Sequence, residues 1–230
     1  MLIRETTEGT GECIPQENHA LLSGVLASAW RPTRLAGLLV QAVGLHDNPW
    51  RVVDRAPALN RETGWPHDFI SYPISEKADF YRRGLDELED VHPYIAYLVS
   101  KHYTTFSGTR DYEPLTGPEE ARRERLAHTL RDELLARAAR DLEWMKFFDI
   151  FSLHLCLTGP AAEPEAVPRW LRSTDHWSEA VDGTELELRW RDDTTLVVEP
   201  WPFRDDVLQF DLRVRDLERE FESSEQLGES

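Results

Sequence analysis

Five residues, His19, His46, Asp47, His102 and Asp149, set ionisable side chains in apolar surroundings. Asp149 lies in Phe147-Phe148-Asp149-Ile150-Phe151-Ser152-Leu153, among the most apolar stretches of the chain. A carboxylate there is costly unless it is paired or bound to a cation. His46-Asp47 follows Ala42-Val43-Gly44-Leu45, His19 stands near the start of an apolar run, and His102 closes the face formed by Ile95, Leu98 and Val99. Imidazole and carboxylate together suit Zn, Mn or Fe. Spacing leaves two readings open. One is a metal site; in the other, Asp149 pairs with an arginine or caps a helix, and His46-Asp47 merely ends one. The remaining histidines, His67, His92, His128, His154 and His176, read individually as surface or hydrogen-bonded groups. His92 lies ten residues before His102, about 15 Å along a straight helix, so the two cannot easily share an ion.

These residues need helices to hold them. Leu21, Leu22, Val25, Leu26 and Ala29 recur at helical steps after Pro15 and predict a helix with that stripe inward. A second helix is predicted over 34–47, buried on most sides. Residues 48–73 carry five helix-breaking Pro and Gly and read as a long loop, which Trp50, Trp65, Phe69 and Tyr72 pack onto the domain. Helices follow over 75–88, with Ser75 as N-cap, and over 92–105, with Pro93 in the first turn. Between Pro118 and Gly159 there is no proline or glycine. These residues predict two helices, or a bent one, changing near Arg140. Strand-like pieces stand at 2–4 and 12–14 around a turn at 8–11, with a hairpin over 184–199 and a third strand at 207–214. The terminal strands can share a sheet with residues 2–14, and the acidic tail from 218 frays.

Composition excludes several partners. With 26 basic and 43 acidic residues the formal charge is −17, the wrong sign for a nucleic-acid polymer or an anionic membrane surface. No apolar run is long enough to span a membrane and residues 1–10 carry no signal-peptide centre. Cys13 and Cys156 are too few and too far apart for a disulfide scaffold or a zinc pair. The expectation is a soluble, acidic, cytoplasmic protein. Nucleophile-elbow and phosphate-loop glycine patterns are missing.

The order His19, His46-Asp47, His102, Asp149 over successive helices resembles the HD-domain superfamily of metal-dependent phosphohydrolases. The strings Gln16-Glu17-Asn18-His19-Ala20, Gly44-Leu45-His46-Asp47-Asn48-Pro49-Trp50, Leu98-Val99-Ser100-Lys101-His102 and Asp149-Ile150-Phe151-Ser152-Leu153 also resemble a bacterial family of uncharacterised proteins. The resemblance implies a mainly α, HD-like helical bundle over 1–160, with N-terminal strands in 1–14. Residues 161–230 would add a linker, a small antiparallel β element and the tail.

It further implies His19, His46, Asp47 and Asp149 as ligands of one or two divalent ions, Fe, Mn or Zn. His102 would bind a second ion or the substrate's phosphate, and His67 could complete a two-metal set. The implied reaction is hydrolysis of a nucleotide or small phosphoester, in which the ion acidifies a water. Asp47, His102 and Lys101 would be catalytic. Lys101, Trp50 and Trp65 would bind substrate, with Phe69 beside the two tryptophans. Asn48-Pro49-Trp50 stands where many signalling members carry Ile-Gly-Lys, which argues against a cyclic dinucleotide. An HD-type di-iron oxygenase and a non-catalytic ligand-binding module are the alternatives.

Overall fold

A computed structural model describes residues 1–7, 10–105, 113–159, 162, 165, 167–172 and 180–218. The turn at 8–9, parts of the 159–168 linker and the tail from 219 onward lie outside these residues. The architecture is mainly α with small antiparallel sheets. Strands β1 (Leu2–Thr7) and β2 (Thr10–Ile14) form the N-terminal hairpin, with Leu2 opposite Ile14. Pro15 then starts α1 (Gln16–Ala29). Its first turn has no cap from its own N-cap residue. Instead Asp54, on the short α3 (Arg51–Arg55), accepts a 2.6 Å hydrogen bond from the Gln16 backbone N–H, and a carboxylate at that end favours the helix dipole.

The inward face of α1 is rotated from the expected stripe. Gln16, His19, Ala20, Ser23, Leu26 and Ala27 are buried, whereas Leu21 and Val25 are 52% and 39% exposed. The i, i+3, i+4 rule holds, and Leu22 and Leu26 of the expected stripe are buried, but polar residues fill the rest of the inward face.

Helix α2 (Gly37–Leu45) crosses α1 closely. A Cβ on Gly24 would lie 2.8 Å from the Gly44 Cα, so paired glycines set the approach. After α2 the chain passes through a 3-10 turn, Asn48–Trp50, and α3. The two-residue strands β3 (Leu59–Asn60) and β4 (Trp65–Pro66) follow. The expected loop is therefore ordered, and it contains short elements of its own. Trp50 is buried among Tyr72, Phe80 and Tyr81.

Helix α4 (Ile74–Val91) is capped by Pro73, not Ser75. The fixed φ of proline presets the entry, and the Pro73 carbonyl already accepts from the Lys77 N–H. Helix α5 (Pro93–Thr105) follows. The Tyr94 N–H at its start donates to His92 Nδ1 at 3.0 Å.

Helices α6 (Glu113–Ala127) and α7 (Asp132–Leu157) divide at 128–131, about one-third of the way along the 118–159 stretch rather than near Arg140. Thr129 turns its hydroxyl onto the Leu126 carbonyl at 2.8 Å. Asp132 and Glu133 then open α7, where acidic side chains suit the positive helix end. At 26 residues, α7 is about 39 Å long. Its apolar half buries Trp144, Phe147 and Phe148 around Trp30, with Phe151 beside Phe147.

The short α8 (Arg169–Arg172) precedes the hairpin β5 (Glu187–Asp192) and β6 (Thr195–Glu199). Residues 207–214 form no strand. Val207 is 73% exposed, and alternation without a partner edge does not make a strand. The strand falls just beyond, at β7 (Arg215–Glu218), which pairs antiparallel with β2. The hairpin remains a separate sheet, so among the described residues only β7 joins the N-terminal strands. No helix among the described residues is long and apolar enough to cross a membrane.

Candidate metal centre

Four helical segments converge on one buried point. His19 comes from the first turns of α1, His46 from the C-terminal end of α2, His102 from α5 and Asp149 from the middle of α7. Asp47 stands at the N-cap of the 3-10 turn. All five side chains are buried. Asp149 Oδ1 lies 3.0 Å from His19 Nε2 and 3.3 Å from His46 Nε2, while its Oδ2 lies 3.4 Å from His102 Nε2. Asp47 Oδ2 is 3.6 Å from both His19 Nε2 and His46 Nε2. His19, His46 and Asp47 form one group able to hold a metal ion, and His46, His102 and Asp149 form another.

The hydrogen bonds around the rings make this donor set fit a cation. His46 Nδ1 is 2.7 Å from the Val43 carbonyl. A carbonyl only accepts, so Nδ1 carries the proton and the lone pair of neutral His46 is on Nε2. That nitrogen faces His19 Nε2 at 3.2 Å and two carboxylate oxygens. Such electron-rich atoms need a proton or a metal between them. His19 Nδ1 lies 2.7 Å from Ser152 Oγ, whose hydroxyl reaches the Asp149 carbonyl at 2.9 Å. Ser152 can thus accept the Nδ1 proton and leave Nε2 free to ligate, as metal-binding histidines require. Bonds of 2.0–2.2 Å to one ion put adjacent ligand atoms roughly 3.0–3.5 Å apart, close to the spacings here.

A proton on His46 offsets the carboxylates. Burial works against a charged His46, but Asp47 and then Asp149 outweigh it and push its pKa up to about 9. Burial likewise opposes the Asp149 charge, yet hydrogen bonds from His102, His19 and His46 hold its carboxyl well below the usual range. Burial and the nearby Asp47 charge keep the Tyr103 phenol neutral. Its hydroxyl donates to the His46 carbonyl and fixes the turn into Asp47.

His19, Asp47, His102 and Asp149 line a pocket of about 470 Å³. Trp50, Tyr81, Tyr103 and Leu153 wall it, and Ile70 and Trp170 stand exposed at its rim. The other residues singled out from sequence lie elsewhere. Trp65 packs beneath the N-terminal sheet with Met1, Cys13 and Leu217, its indole N–H donating to Glu5. His67 turns Nδ1 to the Ser71 carbonyl within a turn that Asp68 organises. Lys101 neighbours His102 in sequence, but adjacent helical residues face different directions, and its ammonium lies over the Tyr97 ring at 5.7 Å. Arg51 pairs with Glu17 on the surface. Sequence reasoning missed Gln16, Lys77, Tyr81 and Tyr103 in the pocket. Gln16 was legible only as the residue one helical turn before His19.

No curated protein and no solved structure matches the chain. One family model, described as a protein of unknown function (DUF3891), matches residues 1–219. The chain belongs to the DUF3891 family.

Proposed function

We propose that this protein is a metal-dependent phosphohydrolase acting on a nucleotide or another small phosphoester. The observation that carries the reading is the lone pair of neutral His46, aimed at two carboxylates at the base of a small-molecule-sized pocket. A divalent Fe, Mn or Zn ion there would supply Lewis acidity toward a phosphoryl oxygen and a water nucleophile near neutral pH. His19, His46 and Asp149 would hold the ion, with Asp47 as a further ligand. Asp47, which also lines the pocket, orients the attacking water or accepts its proton. His102 positions Asp149 through Oδ2 and, lining the pocket, would face a substrate's phosphate. The aromatic walls keep bulk water from the reacting centre. Cys13 and Cys156 are buried free thiols, which suits a reducing cytoplasm.

The engagement of both Asp149 oxygens favours a second reading. With Oδ1 toward His19 and His46 and Oδ2 toward His102, this carboxylate stands among all three histidines, which would together hold the two irons of an HD-type di-iron oxygenase. Elemental analysis of freshly purified protein, followed by a phosphoester panel, separates the readings. Phosphate release with bound metal supports the hydrolase. Two irons per chain with a mixed-valent spectrum and no phosphate release supports the oxygenase. Protein without transition metal, and with a melting temperature indifferent to Mn, Fe and Zn, leaves a non-catalytic ligand-binding module.

A further inference from the structure

Lys77 is a buried cation on the first turn of α4, 6% exposed, and it lines the same pocket as Asp47 and His102. Its ammonium donates to the Phe69 carbonyl at 2.6 Å and lies 5.9 Å from the Trp50 ring centroid. One carbonyl satisfies one of its three N–H groups. Among the described residues no carboxylate lies within 4 Å of it, so its charge is buried without a direct counterion, an arrangement that is costly in an isolated protein. Gln16, in the same lining, is 3% exposed, and its Oε1 has no hydrogen-bond partner among the described residues. A buried orphan acceptor of this kind calls for a partner such as a water, an ion or a ligand. Burial lowers the Lys77 pKa while Asp68 and Asp47 act to raise it.

Two buried polar groups with open valences thus face a pocket of about 470 Å³, within the range of small-molecule sites and much larger than one inorganic anion needs. The other lining is mostly aromatic and aliphatic. We infer that Lys77 is the anion-recognition residue of this pocket, and that its ligand is a small ring-bearing organic oxyanion. The ring lies against Trp50 and Tyr81, and Gln16 accepts a hydrogen bond from the ligand or from a water it brings. The identity of the oxyanion as a phosphoester rests on the hydrolase reading; the anion site itself does not require the metal.

The test is isothermal titration of the full chain with phenylphosphonate, a ring-bearing oxyanion that is not a hydrolysable ester. Both EDTA-treated and Mn-loaded protein are titrated. Lys77→Met should weaken binding about 10- to 100-fold in both states, the worth of one charge-assisted hydrogen bond. Its melting temperature should match or exceed that of the wild type, because a buried charge is gone. Lys77→Gln, which keeps a donor for the Phe69 carbonyl, should show the same loss and serves if the Met variant does not fold. Unchanged affinity in the variants, or no binding by the wild-type protein in either state, overturns the inference. The two readings fail separately. Loss of binding in metal-free Lys77→Met, with no phosphate released by the Mn-loaded wild type, keeps the anion site and removes the hydrolase. Phosphate release whose KM is untouched by Lys77→Met does the reverse.

Discussion

Ser152 Oγ lies 2.7 Å from His19 Nδ1 across 133 residues of sequence. A side chain in the apolar half of α7 thereby sets the orientation of a ring on α1. Its hydroxyl also contacts Ser23 Oγ at 2.7 Å, so two serines support one imidazole. Ser152→Ala should lower affinity for Mn or Zn about 10- to 100-fold, as loss of such supporting hydrogen bonds does elsewhere. Titration calorimetry checks this, and an unchanged dissociation constant would count against Ser152 as the support of His19.

Asp149 is the carboxylate within reach of all three histidines. At a metal concentration 100 times Kd, a binding-competent protein gains about 2.7 kcal/mol of stability. Asp149→Asn should abolish that gain. Chemical denaturation with and without Mn measures it, and a full metal response in the variant would exclude Asp149 as a ligand.

His46 gives opposite pH behaviour to the two states. Its pKa in the folded metal-free chain is raised to about 9 from the ordinary 6.5. A raised pKa stabilises below the unfolded value, and that contribution is lost as pH rises through the folded value. Metal-free protein should therefore lose stability between pH 6.5 and about 9. Metal binding must expel the His46 proton, so metal affinity should fall as pH drops below about 9. Melting temperatures across this range in EDTA, and Kd measured at each pH, test both signs.

The glycine crossing of α1 and α2 links packing to the site. A Cβ on Gly24 would stand 2.8 Å from the Gly44 Cα, and backbone cannot yield as a flexible side chain can. Gly24→Ala should destabilise the fold by about 1–3 kcal/mol, typical of overpacking. Because the helices carry His19 and His46, it should also weaken metal binding. Gly84→Ala meets Pro49 at 2.4 Å and should act similarly on the turn after Asp47. Urea denaturation and metal titration of each variant measure the two effects.

Much of this was legible in the sequence, for identifiable reasons. Pro15 and Pro93 marked helix starts because proline presets φ, whereas Pro73 read as the end of a loop although it caps α4. The apolar setting of Asp149 marked a carboxylate that needed a partner. What failed was inference from hydropathy where polar residues are buried. Gln16, His19 and Ser23 share the inward face of α1, so an apolar stripe that places Leu22 and Leu26 correctly also turns the exposed Leu21 and Val25 inward. Lys77 lies in a strongly charged helix and reads as a surface residue. Trp65 and His67 stand close to Trp50 in sequence, but the β3–β4 turn carries them away from the pocket. Strand alternation at 207–214 was genuine but lacked an edge to join, and that information lies in the distant partner β2.

The sheet order β1-β2-β7 also bears on how the chain is made. The hairpin is complete once residue 14 has been synthesised, yet the strand that covers its inner edge begins at Arg215. At about 5–20 residues per second, the intervening 200 or so residues take roughly 10–40 s to emerge. For that interval β2 presents unpaired backbone groups, a template for pairing with a neighbouring nascent chain. Gly11 and Glu12, within that edge, are poor β-formers, which keeps the waiting strand a weak template until its own partner arrives.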